Sequence, residues 1–93
     1  MRYNLRLTLQ PLIGLSAAVK HATNPNLCGI SGVIVDDTEN MLTLSDGLRS
    51  RQIPKVSSLF ELSLPNGRTA DIEGNALVGH PAERLRRAKK LRW

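Results

Sequence analysis

The chain has 93 residues and a formal net charge of +5; 41% of its residues are hydrophobic and 3% aromatic, so one small domain must build its core from Leu, Ile and Val. A single cysteine, Cys28, excludes an internal disulfide and any multi-thiolate zinc site. No apolar run approaches the ~20 residues of a membrane helix, and a lone thiol suits a reducing compartment, so a cytoplasmic location is expected.

In chain order, Leu5, Leu7 and Leu9 alternate with polar residues as in a strand, while Leu5, Leu9 and Leu12 also fit helical spacing. Residues 1–11 therefore read as an N-terminal arm that could carry a short helix. Leu15 to His21 reads as a strand, closed by the turn signal Asn24-Pro25-Asn26. Cys28, between Leu27 and Gly29, reads as a small buried apolar residue. Gly29 to Val35 is a strong strand, with Gly32 suggesting a bend or bulge. Asp36 to Asn40 reads as a polar turn. Met41 to Ser45 follows as a strand with Leu42 and Leu44 on one face. Asp46-Gly47 turns the chain. Arg49 to Ile53 reads as a strand ended by Pro54, which cannot donate to a ladder. Ser58 to Leu64 places Phe60, Leu62 and Leu64 on one face. Pro65-Asn66-Gly67 is a hairpin turn, and Arg68 to Glu73 returns with Ala70 and Ile72 together. Ala76 to Val78 reads as a last short strand.

At Pro81 the character changes. Proline suits the first position of a helix, Glu83 suits its first turn, and the cations beyond it suit the C-terminal end. Leu85, Ala88 and Leu91 form a narrow apolar stripe, so Pro81 to about Leu91 reads as an exposed basic helix. Short strands and frequent turns across residues 12–79 point to a mainly β fold, a small antiparallel barrel whose closure would remove exposed edges. Residues 80–93 form the basic tail.

Charge is unevenly placed. Met1 to Glu83 holds seven basic and eight acidic residues, whereas Arg84, Arg86, Arg87, Lys89, Lys90 and Arg92 follow within ten residues and without an acid. Such a block attracts phosphates. Together with Arg49, Arg51, Lys55 and Arg68 it forms the expected RNA-binding set. With so few aromatics, base stacking is a poor main mode of recognition; backbone and shape recognition of folded RNA fits better.

No catalytic set is expected. His21 and His80 lie far apart and lack a positioned partner; His21 should be exposed at a strand end, and His80 should cap or pack at a helix start. Asp36, Asp37, Asp46 and Asp71 could in principle gather around Mg2+, but the first three read as turn residues, where Asp is favoured for local backbone hydrogen bonds. The glycines of Gly29 to Gly32 lack the Lys-Ser/Thr of a phosphate loop.

Several stretches carry a resemblance. They are Leu12-Ile13-Gly14-Leu15, Asn24-Pro25, the block Gly29 to Asn40, Ile53-Pro54-Lys55, Phe60, Asn66-Gly67 and Gly74. The ending Gly79-His80-Pro81-Ala82-Glu83-Arg84-Leu85 is similar to a Gly-x-Pro-x-x-Arg segment. In this order and spacing they resemble the ribonuclease P protein component 1 family. That family usually has Asp-Glu-Thr at Asp36-Asp37-Thr38 and often Arg at His80, and the arm before Leu12 matches it poorly. The resemblance implies an Sm-like or SH3-like barrel with flanking helices. It implies a non-catalytic, RNA-binding subunit of ribonuclease P, the endoribonuclease that removes the 5′ leader of precursor tRNA. The RNA then carries catalysis with Mg2+, no cofactor is bound by this chain, and the protein partner is a zinc-ribbon subunit. Two other readings stand beside it. One is a protein-interaction barrel acting as an adaptor in another ribonucleoprotein, with Leu5, Leu7 and Leu9 in need of cover. The weaker one is a membrane-surface binder, for which Leu85, Ala88 and Leu91 offer too little apolar face.

Overall fold

Leu42 and Leu44 alternate with polar neighbours, and in the computed structural model, which describes residues 12–79, both are buried inside one sheet. Six strands build it: β1 (Ser16–His21), β2 (Ser31–Asp37), β3 (Met41–Ser45), β4 (Ser50–Pro54), β5 (Leu59–Ser63) and β6 (Thr69–Glu73). They run antiparallel in the order β4-β3-β2-β1-β5-β6. One face gathers Val19, Ile34, Leu42, Leu44, Ile53, Phe60, Leu62 and Ile72 into a single core. No helix among the described residues is long and apolar enough to cross a membrane.

The mainly β, antiparallel expectation holds, but the hydrogen-bonded sheet is open. β4 and β6 are its two ends, and no ladder joins them among the described residues. Pro54 at the end of β4 has no N–H to offer a further strand. The core is instead covered by Leu12, before β1, and Leu77, after β6, both buried against the same cluster. The expected arm 1–11 and the helix Pro81 to Leu91 lie outside the described residues.

Four local expectations are corrected. Ala76 to Val78 is no strand: Gly74–Leu77 forms a 3-10 helix. Its first residue is tied back by the Gly74 N–H donating to the Ser58 carbonyl at 2.7 Å, and a run of three apolar residues has no period to resist that turn. Asp36 and Asp37 are not in the turn either, because β2 runs on through them. The turn proper is Thr38 to Asn40, where the Thr38 N–H donates to the Met41 carbonyl at 3.0 Å. Cys28 is exposed, not buried. It follows the 3-10 helix Pro25–Leu27, capped by Asn24, and Leu27 packs on the core in its place.

The fourth correction concerns Gly32. The irregularity in β2 falls at Val35, between the pairs Ile34–Leu44 and Asp36–Thr43. Gly32 answers a different need: a Cβ there would run into the backbone of Ser45 on β3. Gly32→Ala must push those backbones apart, so a loss of about 1–3 kcal/mol is expected from urea unfolding.

Candidate nucleic-acid interface

Register alone assembles a row across the whole outer face. Ser50 pairs with Ser45, Ser45 with Val33, Val33 with Ser16, Ser16 with Ser63, and Ser63 with Thr69. Every member points away from the core, and all but the half-buried Ser45 are exposed. Five of the six carry a hydroxyl, which can donate to a phosphate oxygen without base specificity. A shallow concavity runs along the middle of the row, over Ser16, Ser31, Val33, Ser45 and Ser63, and its lining also includes the carboxylates of Asp46 and Glu61. The small side chains of the row leave room for a polymer backbone to lie close.

Arg49, Arg51 and Arg68 neighbour the ends of the row in sequence, and all three are exposed. Arg51 lies opposite the buried Leu44, so it leaves β4 on the core side of the sheet and not on the side of the row. Arg51 also borders a second recess with Ile30, Leu44 and Arg49. The turn that presents Arg49 is held by Asp46, whose Oδ1 accepts from the Leu48 and Arg49 amides at 2.8 Å each. Those amides, Arg49 first, hold the Asp46 carboxyl below its usual value. Two register steps along from Ser63 and Thr69 the sign reverses. Glu61 faces Asp71 across β5 and β6, and Lys20 donates to Asp71 at 3.0 Å. That hydrogen bond and the Asp71 charge raise the Lys20 pKa.

Lys55 does not belong to this surface. Expected to meet phosphate, it is instead fully buried, with its Nζ 2.8 Å from Asp37 Oδ1 and side-chain exposures of 0% and 1% for the pair. The ammonium also donates to the carbonyls of Thr38, Glu39 and Gly79. A strict alternation along β2 would bury Asp36 and expose Asp37. The extra residue at Val35 inverts that parity, so Asp37 lies opposite the buried Leu42 and turns inward. The remaining basic residues of the expected set, Arg84, Arg86, Arg87, Lys89, Lys90 and Arg92, lie outside the described residues.

Residues 12–79 carry five basic side chains against seven carboxylates, so the body is slightly acidic. Eight basic residues and one acid, Glu83, lie in the segments on either side. Among the described residues no three of His, Cys, Asp and Glu gather as a metal site. His21 is exposed at the end of β1, as expected.

Comparison with known proteins gives a consistent result. The family model "Ribonuclease P/MRP, subunit p29" matches residues 5–87. Ribonuclease P protein component 1 of Methanosarcina mazei is 38% identical over 96 residues, covering 92% of this chain and 87% of that protein. The protein of the same name from Methanothermobacter thermautotrophicus is 39% identical over 82 residues, covering 87% and 86%. Among solved structures, Mth11, a homologue of human RNase P protein Rpp29, superposes with a TM-score of 0.62 at 38% identity, covering 81% of this chain and 97% of that one.

Proposed function

The chain belongs to the ribonuclease P/MRP subunit p29 family, and on that premise we propose that it is a non-catalytic RNA-binding subunit of ribonuclease P. The family match across residues 5–87 carries this reading. The chain supports the catalytic RNA in removing the 5′ leader of precursor tRNA. Mg2+ is assigned to that RNA and not to this chain. A zinc-ribbon protein subunit is the proposed protein partner, an Sm-like curl of the sheet is the proposed architecture, and the cytoplasm is the proposed location.

The charge distribution divides the work. A body with more carboxylates than cations gains little from long-range attraction to RNA. The phosphate contacts are therefore proposed to centre on Arg84, Arg86, Arg87, Lys89, Lys90 and Arg92. Arg49, Arg51 and Arg68, at the two end strands of the sheet, are proposed as further phosphate contacts. Counterion release makes this testable. Replacing Arg86, Arg87, Lys89 and Lys90 by Ala should reduce the log–log salt slope of RNA binding by as much as about 3. An unchanged slope would remove the tail from the interface.

Reconstitution tests the function itself. Precursor-tRNA cleavage by ribonuclease P RNA, with the remaining protein subunits present, should accelerate at low Mg2+ when this chain is added. A rate indifferent to the chain would refute the subunit role.

A further inference from the structure

We infer that Lys55 is a positioning residue: its buried ammonium fixes the point from which the basic C-terminal segment leaves the body. The inference rests on the reading of that segment as the main RNA contact. Its basis is the set of groups that converge on one nitrogen. Asp37 and the carbonyls of Thr38 and Glu39 approach from the end of β2 and its turn, and the carbonyl of Gly79 approaches from the other side of the chain at 3.2 Å. Gly79 is held a second time, because its N–H donates to the Glu39 carbonyl at 2.7 Å. Both polar groups of this one residue are thus held, the N–H by the β2–β3 turn and the carbonyl by Lys55. Gly79 is itself buried, with φ at 108°, a conformation that a side chain would strain.

Stability alone is a poor reason to bury this ion pair. Two apolar side chains of similar volume would fill the same space without desolvating two charges. An ammonium does what they cannot: it donates to several carbonyls at once and so joins separate segments. Gly74 reinforces the joint from below, since a Cβ there would meet the backbone of Lys55. The first cation of the basic block, Arg84, lies five residues beyond Gly79. Fixing the point where a segment so close to its anchor begins limits the volume it can search, and so lowers the entropy lost when it meets RNA.

Lys55→Met combined with Asp37→Leu removes the joint and both charges of the pair together. In this variant the Phe60 and Ile72 amides should stay protected from hydrogen exchange, while the Gly79 amide exchanges at least about tenfold faster. Affinity for a ribonuclease P RNA transcript should fall about threefold to tenfold, with the salt slope unchanged because no phosphate contact is removed. A purely structural Lys55 would move stability and leave this split unseen. A second variant keeps the joint and adds slack: two glycines inserted between Gly79 and His80 should lower affinity by a similar factor at the same slope. Retained protection of Gly79 in the folded double variant overturns the inference, and so does unchanged affinity in the insertion variant. If the unaltered chain fails to bind the transcript, the functional reading falls, and Gly79 exchange still decides whether Lys55 holds the exit.

Discussion

Lys55→Ala should cost about 3–5 kcal/mol of folding stability, read from urea or thermal unfolding. The substitution removes the ammonium but leaves the Asp37 carboxylate in the interior, where its side chain is 1% exposed. The buried carboxylate then bears its desolvation cost without the Lys55 ammonium. The carbonyls of Thr38, Glu39 and Gly79 lose a donor in the same step, and the space of the side chain is left behind. For a domain whose total stability is of the order of 5–15 kcal/mol, this is about a fifth of it or more. The paired change Lys55→Met with Asp37→Leu should cost less, about 1–3 kcal/mol, because both charges of the pair are removed together and the lost donor to the carbonyls remains. If the single and paired variants lose equal stability, the cost comes from packing and not from charge.

Phe60→Ala is the second large effect, at about 3–5 kcal/mol by the same measurement. Phe60 is fully buried, and β5 lies between β1 and β6, so the ring is flanked by Val19 on one strand and Ile72 on the other. Both neighbours are fixed by ladders, which limits how far the walls can collapse into the cavity. It is the sole Phe of the chain, and the other two aromatics, Tyr3 and Trp93, lie outside the described residues. Val56→Ala provides the contrast: Val56 is 55% exposed, and its loss should fall within about 0.5 kcal/mol.

Most of the strand plan is legible in the sequence because its signals are local. Met41 to Ser45 is read residue for residue, since Leu42 and Leu44 alternate cleanly between two turns. The Asn66-Gly67 turn is equally plain, with Gly67 at φ 86° and Asn66 Oδ1 accepting from the Arg68 amide. What stays hidden depends on partners distant in the chain. Lys55, following Pro54, has the look of an exposed phosphate ligand, and only the fold brings it to Asp37, eighteen residues earlier. Asp36-Asp37 has the composition of a turn, so the continuation of β2 through it cannot be seen from composition. The hydroxyl row is likewise a product of register: its members are scattered from Ser16 to Thr69, and nothing in their local sequence marks them as neighbours. Arg49 and Arg68 are exposed beside the Asp46-Gly47 and Asn66-Gly67 turns, whereas Arg51 lies within β4 opposite Leu44.

The extra residue at Val35 also sets where this chain can change its length. Ile34 faces Leu44 and Asp37 faces Leu42, with two residues of β2 spanning the single step that Thr43 fills on β3. Losing either Val35 or Asp36 would straighten the strand and still leave Ile34 and Asp37 against the same partners. Losing a residue between Ser31 and Val33 would break the match to β1 and send alternate side chains to the wrong face. A one-residue deletion therefore has a safe address in β2, and it lies beside the carboxylate that the interior depends on.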